Sequence, residues 1–234
     1  MENRNRKKNK KSFDRDEPKI KSINKSRKAK RHSSKPGNKL CTITPAKNVM
    51  AEAEVEEDFE TEFGIWDLSK FLGTISLFDD PDFEFSEKYV MIRSATGSCV
   101  KYYYSEPSLL TVPTRRLDMP SVAVSFNLPH SVFHEILRAA SVLQLPDLAI
   151  RSEGGNIVAA VLDKSEPTSN DYSIELGLNE SGAEFDFHFK IENLKFIPGD
   201  YQVDITEKVV SQFTSKSGGV KYWVALEASS KYSG

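Results

Sequence analysis

Three segments of this chain repeat the same order of patterns, and this recurrence limits the possible folds more than any other feature of the sequence. Each segment begins with apolar residues at helical spacing, continues with a proline and an acidic residue, and ends in alternating apolar and polar residues. The proline-acid cues are Pro81-Asp82, Pro146-Asp147 and Pro198-Gly199-Asp200. Three such matches in the same order predict a repeated helix-then-hairpin unit and therefore a modular fold.

The rest of the chain from Leu40 onward carries the two-residue period of β-strands. Turn residues separate the short stretches, as at Pro45-Ala46-Lys47-Asn48 and Ser94-Ala95-Thr96-Gly97, which predicts two hairpins. The three predicted helices carry the apolar sets Ile65, Leu68, Phe71, Leu72, Ile75; Val132, Phe133, Ile136, Leu137, Ala140, Leu143; and Ile191, Leu194, followed by Lys195. We therefore predict an α+β fold made mostly of antiparallel strands.

The length of 234 residues fits two domains of about 100 residues each. We predict a basic, disordered arm over residues 1–38, an N-terminal domain over 39–106, a connector over 107–120 and a C-terminal domain over 121–234. The arm has almost no large apolar residues with which to build a core, and the connector has three prolines and no clear period. Residues 27–34 in particular lack the apolar side chains that a buried strand needs.

The net charge of −2 conceals a strong asymmetry between the arm and the body. Residues 1–39 hold 16 Lys or Arg and 4 Asp or Glu, whereas the remaining 195 residues hold 16 and 30. DNA repels a uniformly acidic surface, so a body that binds nucleic acid must collect its positive charges on one face.

Sequence signals for membrane insertion, secretion, metal binding and catalysis are missing. No stretch approaches the roughly 20 apolar residues of a membrane span, and the basic N-terminus lacks the apolar core of a signal peptide, which predicts a cytoplasmic protein. Cys41 and Cys99 are expected to be reduced thiols. His130 and His134 are four residues apart, but Ser131 stands where a zinc-binding HExxH motif has glutamate. We predict no metal and no cofactor.

Several runs resemble a known family. The helix Asp67-Leu68-Ser69-Lys70-Phe71-Leu72-Gly73, within residues 63–80, resembles the acid-Leu-x-x-Phe-Leu-Gly helix of the T-even-type bacteriophage DNA polymerase sliding clamps. Other similar runs follow the family order, namely Met50-Ala51-Glu52-Ala53, Glu135-Ile136-Leu137-Arg138, Asn193 to Tyr201 and Tyr222 to Ala228. The resemblance covers about residues 40–230, and its motifs are packing signatures.

The resemblance implies a non-enzymatic clamp that encircles double-stranded DNA without reading its sequence and tethers the replicative DNA polymerase. A second use as a transcription coactivator platform is left open. It implies a homotrimeric ring in which each chain has two similar domains, antiparallel sheets outside and helices lining the pore. Edge strands of neighbouring chains are expected to pair. A separate clamp loader is the implied ATP user, and the implied location is the cytoplasm of the infected bacterial host. The family's first helix-strand unit is in doubt here, because a basic arm occupies its place.

The predicted contact residues follow from helix spacing and from the resemblance. Ser131, His134, Arg138 and Ser141 share the polar face of the second helix. The predicted DNA contacts are Lys70, His134, Arg138 and Lys195. Lys190 is a weaker candidate. Apolar peptides of partner proteins are expected to dock against the connector, at Leu109, Leu110 and Val112.

Two other functions remain open from the sequence. The first is a nucleic-acid-binding or transcription-accessory protein that acts through its basic arm. The second is a hydrolase that uses Asp79 or His134, although neither residue belongs to a recognisable catalytic motif.

Overall fold

The computed structural model describes residues 31–34, 37–106, 110, 119, 121–166, 168–207 and 209–234. Within these ranges the chain forms two α-helices and sixteen strands. The helices are α1 (Leu68–Ile75) and α2 (His130–Leu143). The strands are β1 (Arg31–Ser34), β2 (Gly37–Ile43), β3 (Val49–Phe59), β4 (Phe63–Ile65), β5 (Asp82–Phe85), β6 (Tyr89–Arg93), β7 (Cys99–Tyr103), β8 (Val122–Leu128), β9 (Asp147–Glu153), β10 (Asn156–Leu162), β11 (Tyr172–Leu178), β12 (Glu184–Lys190), β13 (Tyr201–Thr206), β14 (Val210–Ser215), β15 (Val220–Ala225) and β16 (Lys231–Ser233).

The strands form three antiparallel sheets. One sheet of eight strands has the order β4-β1-β2-β3-β15-β14-β13-β8 and joins the two halves of the chain through the β3–β15 pair. A five-stranded sheet has the order β11-β10-β9-β12-β16, and a three-stranded sheet the order β5-β6-β7. The predicted α+β class and both predicted hairpins, β2–β3 and β6–β7, are confirmed.

Two hydrophobic cores lie in the two halves of the chain. The N-terminal core packs α1 on β4 and β6, through residues such as Phe71, Ile65 and Val90. The C-terminal core packs α2 on the sheets through Phe133 and Ile136. Strand β3 contributes to both cores, because its first inward residues belong to the C-terminal core and its last to the N-terminal one.

Local chemistry fixes the N-terminal end of α1. The Asp67 side chain caps its N-terminus by accepting a hydrogen bond of 2.9 Å from the backbone N–H of Lys70. Leu68, Phe71 and Ile75 are buried, so the predicted apolar stripe faces the core. Burying such a stripe stabilises a short helix that is marginal by itself.

Helix α2 uses a cap from another part of the chain. Pro129 at its start offers no capping side chain, and Asp200 from the loop before β13 accepts the backbone N–H of His130 at 2.7 Å. The helix ends at Gln144, which adopts φ +55°, and Leu145 then donates to the carbonyl of Ala140 at 2.9 Å. The contact with Asp200 ties the start of α2 to the beginning of β13.

The third predicted helix is wrong. Only a single 3-10 turn, Ile191–Asn193, forms there, and Lys195 lies beyond it in irregular chain. Phe196 is drawn into the core, where its ring stacks on Tyr222 with centroids 4.2 Å apart, and Pro198 follows two residues later. Core packing and the proline together stop the helix.

The predicted arm also differs from the structure at its C-terminal end. Residues 31–34, assigned above to the arm, form strand β1 between β2 and β4, and β2 already begins at Gly37. Sheet hydrogen bonding on both sides overrides the polar sequence here. Residues 1–30 lie outside the described part of the chain. Among the residues described, no helix is both long and apolar enough to cross a membrane.

Candidate nucleic-acid interface

The polar face of α2 is the clearest candidate surface for nucleic acid. Ser131, His134, Arg138 and Ser141 are all exposed, as predicted from their spacing, while the opposite side of the helix is buried in the C-terminal core. Small hydroxyl side chains flank the two basic ones on this face. Such a surface can approach a phosphate backbone closely and form contacts that carry no base information.

Arg138 is the best placed cation on this face. Within the described ranges its guanidinium makes no hydrogen bond and no ion pair, so its donors are open to solvent or to an anion. His134 lies one helical turn earlier, with its ring centroid 6.1 Å from that of His130. In the part of the chain that the structure covers, no three His, Cys, Asp or Glu side chains are grouped to hold a metal ion.

Lys70 and Lys195 occupy similar positions in the two halves. Each directly precedes a phenylalanine that is buried, Phe71 and Phe196, and each is exposed. Lys70 lies on α1, whereas Lys195 lies on irregular chain after the 3-10 turn. Neither ammonium group forms an ion pair with another described residue, so both can attract phosphate. Only one of the two therefore stands on a helix.

Lys190 has a different role. Its Nζ is 2.6 Å from Oδ1 of Asp147, whose side chain is 3 % exposed. The hydrogen bond with Asp147 raises the pKa of Lys190 above its ordinary value. Because this charge is already neutralised by a buried carboxylate, Lys190 stabilises the β9–β12 pair and has little charge left for a ligand.

A group of polar side chains around His188, which the sequence did not predict, joins β12 to the C-terminal residues. The ring of His188 has Nδ1 at 2.7 Å from Oγ of Ser229 and Nε2 at 3.0 Å from Oδ1 of Asp186. The ammonium of Lys164 donates to the same Ser229 Oγ at 2.8 Å. The contact with His188 holds the pKa of Asp186 below its ordinary value. No sequence motif joins these residues, because 41 positions separate His188 from Ser229.

This cluster fastens the C-terminal segment onto β12. The backbone N–H of His188 donates to Oγ of Ser230 at 2.9 Å, and the carbonyl of His188 accepts from the N–H of Glu227 at 2.9 Å. Strand β16 follows at once and pairs with β12. Ser229, His188 and Asp186 have the residue types of a serine-histidine-acid catalytic triad. Their contacts, however, hold the last strand in the sheet.

The predicted partner-binding residues are only partly within the described ranges. Leu109 and Val112 lie outside them. Leu110 is buried, and a Cβ atom on Gly64 would overlap its Cδ1 atom, so Leu110 packs over the end of β4. Its side chain does not offer an open surface to a peptide in this structure.

Comparisons with known proteins agree with one another. The family described as "gp45 sliding clamp, C terminal" matches residues 126–228. The "Sliding clamp" of Vibrio phage KVP40 is 27% identical over 197 residues, which cover 82% of this chain and 88% of that protein. The "Sliding clamp" of Enterobacteria phage T4 is 28% identical over 204 residues, which cover 85% and 89%.

Solved structures share the fold at lower sequence identity. The structure titled "C-terminal region of FEN-1 bound to A. fulgidus PCNA" aligns with a TM-score of 0.66 at 13% identity and covers 90% of this chain and 95% of that one. The "H.pylori Beta clamp in complex with Diflunisal" aligns with a TM-score of 0.64 at 14% identity, over 88% of this chain and 60% of that one. Both alignments extend across the two halves of the chain described above.

Proposed function

We propose that this chain is a sliding clamp of the T4-like bacteriophage kind, which encircles duplex DNA and tethers the replicative DNA polymerase to its template. The protein itself is not an enzyme. Its contribution to replication is mechanical, because a ring that cannot fall off the duplex keeps the attached polymerase near the primer end. The observation that carries the proposal is the agreement of the relatives with a clamp fold that spans both halves of the chain.

We propose that Lys70, His134, Arg138 and Lys195 face the DNA inside the ring. The described body is acidic overall, yet these four side chains are exposed and carry no carboxylate partner within it. Exposed cations attract phosphate through a screened field that does not depend on base sequence. Weak contacts of this kind let the ring slide, whereas tight ones would hold it in place.

The assembly that we propose is a ring of three identical chains, opened and closed on DNA by a separate clamp loader that uses ATP. We further propose that partners such as the polymerase dock on the outer side of the ring through short apolar peptides. Leu109, Leu110 and Val112 stay candidates for that docking site, with the burial of Leu110 favouring a packing role for this residue. The phage relatives act inside an infected bacterial cell, and we place this chain in its cytoplasm.

The test of this function combines mass with polymerase activity. We expect light scattering to give three times the chain mass at micromolar concentration. We also expect the clamp, its loader and the cognate polymerase to produce much longer extension products on a primed circular template than the polymerase alone. A strict monomer that leaves product length unchanged contradicts the proposal.

A second candidate function rests on the excess of basic residues before position 40. A nucleic-acid-binding or transcription-accessory protein of this kind would bind DNA through the arm by counterion release, with a steep salt dependence. Removal of residues 1–30 distinguishes the two functions through its effect on DNA binding. An arm-driven binder loses its DNA affinity, whereas a clamp keeps its retention on closed circular DNA.

A further inference from the structure

The turn between β2 and β3 contacts the C-terminal half of the chain through hydrogen bonds. Asn48, the last residue of this turn, donates from its Nδ2 to Oδ1 of Asn193 at 3.2 Å, and 145 positions separate the two residues. The backbone carbonyl of Asn48 accepts from the N–H of Ala225 at 2.9 Å, at the end of β15. The turn is therefore fastened to the C-terminal half at two points.

Hydrogen bonds within the turn orient the Asn48 side chain. The hydroxyl of Thr44 donates to Oδ1 of Asn48 at 2.7 Å and accepts from the N–H of Val49 at 3.1 Å. The carbonyl of Thr44 accepts from the N–H of Lys47 at 2.9 Å, and Thr44 is 3% exposed. Because Thr44 occupies the amide oxygen of Asn48, the amide nitrogen is left to reach Asn193.

Asn193 is a polar residue in an apolar environment. It is 6% exposed and precedes Leu194, which is fully buried in the C-terminal core. Burying an amide costs free energy unless it is hydrogen-bonded, so packing alone favours an apolar residue at this position. A buried amide with a partner instead favours one arrangement of the chain over its alternatives. The bond between Asn48 and Asn193 therefore indicates a requirement for position.

Lys195 depends on this position because it lies outside any helix. The 3-10 turn ends at Asn193, and Lys195 follows in irregular chain, directly before the buried Phe196. Farther along, the N–H of Ile197 donates to the hydroxyl of Tyr222 at 3.2 Å. The segment that carries Lys195 is thus held on one side by the amide of Asn193 and on the other by Tyr222.

We propose that Asn193 is a positioning residue that uses the β2–β3 turn of the other half to hold the Lys195 ammonium where it meets DNA phosphate. This inference rests on the DNA contact proposed above for Lys195. Asn193 acts through Lys195 and does not touch the DNA. A cation on a fixed backbone loses less conformational entropy when it engages a phosphate, so a loosened segment makes a weaker contact. The N-terminal half thereby supports a DNA contact of the C-terminal half.

The test compares Asn193→Ala with Lys195→Ala in the salt dependence of DNA binding. Lys195→Ala is expected to lower the slope of log affinity against log salt concentration by about 0.9 for each chain that contacts phosphate. Asn193→Ala keeps the charge of the chain, yet it is expected to lower the slope by roughly half as much or more, because the ammonium no longer engages phosphate in every complex. Fluorescence anisotropy with a short duplex, from about 50 to 200 mM salt, measures both slopes.

A double-mutant cycle measures whether Asn193 acts through Lys195. If it does, Asn193→Ala has no further effect on DNA affinity in a Lys195→Ala background, because the contact that Asn193 supports is already gone. Additive losses of affinity contradict the positioning role.

Asn48→Ala removes the same hydrogen bond from the other half of the chain. Asn48 is only half-buried, so this variant is expected to fold even if Asn193→Ala does not. It is expected to lower the salt slope as much as Asn193→Ala does. An unchanged slope for Asn48→Ala beside a lowered slope for Asn193→Ala overturns the proposed role of the turn.

The matched control is Asn179→Ala. Asn179 is a half-buried residue between β11 and β12, and its Nδ2 donates to the carbonyl of Ala183 at 2.8 Å. Its substitution removes a comparable amide hydrogen bond from a different turn. It is expected to lower stability in urea about as much as Asn48→Ala and to leave the salt slope unchanged. An equal fall in slope assigns the effect to a general loss of stability and overturns the proposal.

The outcomes separate this inference from the clamp function. If Lys195→Ala leaves the slope unchanged, Lys195 is not a DNA contact and the inference fails with it, while retention on circular DNA still tests the clamp. If Lys195→Ala lowers the slope and neither Asn193→Ala nor Asn48→Ala does, the DNA contact stands and the inference is wrong. A monomer without an effect on the polymerase overturns the clamp function itself.

Discussion

At the scale of single residues, the most consequential side chain is Arg138, because it is exposed on α2 without any partner in the described structure. The neighbouring candidates differ from it in availability. Lys190 is already neutralised by Asp147, and the ring of His134 lies beside that of His130. Arg138 is therefore the residue of α2 whose removal should affect DNA binding most directly.

The variant Arg138→Ala is expected to reduce the salt dependence of DNA binding. Each phosphate neutralised by a cation contributes about 0.9 to the slope of log affinity against log salt concentration, so the slope should fall by about that amount in each chain of the ring that touches phosphate through Arg138. Filter binding or fluorescence anisotropy from 50 to 200 mM salt measures it. Arg93→Ala is the control, because Arg93 pairs with Glu84 at 3.6 Å on the sheet side. An equal fall in slope for both variants contradicts the assigned role of α2.

The lowered pKa of Asp186 predicts how the stability of the protein changes in acid. Its pKa is lowered from 3.8 by the contact with His188, so its contribution is fully present above that unfolded value and is lost as the pH falls through the folded pKa. Asp186→Asn is expected to be less stable than the wild type at pH 6, by less than about 1 kcal/mol because solvent screens this half-exposed group. Urea unfolding should show the difference shrinking below pH 4. A constant difference down to pH 3 excludes the charge as its cause.

At the level of secondary structure, the apolar periodicity correctly predicted the elements that depend on residues close together in the sequence. Helices α1 and α2 confirm most of the two predicted apolar stripes, but Ile65, the first residue of one, lies in β4, and Leu143, the last of the other, is 37% exposed. The proline-acid cues stand directly at the beginnings of β5, β9 and β13. Apolar spacing and turn residues are visible among neighbouring residues of the sequence, so these elements could be predicted from it.

The elements that sequence reasoning missed depend on distant partners. The polar residues of β1 are held by β2 and β4, and the third helix is cut short because Phe196 stacks on a tyrosine 26 residues away in sequence, Tyr222. The cluster at His188 likewise forms only when the C-terminal turn returns to β12. None of these interactions leaves a local pattern, and the same is true of the burial of Leu110.

Two glycines test the packing around β4 and α1. Gly64→Ala is expected to destabilise the protein by about 1–3 kcal/mol, because the new methyl group overlaps Leu110 and lies close to the carbonyl of Ser105. Gly73→Ala in the interior of α1 meets nothing within 4 Å and is expected to stabilise it by about 0.5–1 kcal/mol. Thermal unfolding compares the two variants. The double change Gly64→Ala with Leu110→Ala should cost less than the two single changes together, and simple additivity contradicts the contact.

At the scale of the whole molecule, charge is divided between a basic N-terminal stretch and an acidic body. An acidic exterior discourages unspecific binding of DNA to the outside of a ring, while a few unpaired cations on the helices can still meet the phosphates inside. The basic stretch adds attraction that needs no ring. These two kinds of binding respond differently to salt and to the topology of the DNA.

Deletion of residues 1–30 separates the two contributions. The shortened protein is expected to lose much of its affinity for linear DNA at low salt, because residues 1–30 hold 13 Lys or Arg against 4 Asp or Glu. The deletion ends before β1, so no described strand is interrupted. Extension of long templates with polymerase and loader is expected to continue. Complete loss of this template extension, with the trimer intact, assigns the function to the arm.

We propose that enclosure, and not affinity, keeps this protein on DNA. The most direct measurement is retention on a nicked circular plasmid after loading, followed by gel filtration in high salt, with and without cutting the plasmid once. We predict that the protein stays with the circle and leaves the linearised DNA by sliding off its ends. Equal retention on circular and linear DNA, or release from both on raising the salt, contradicts retention by enclosure.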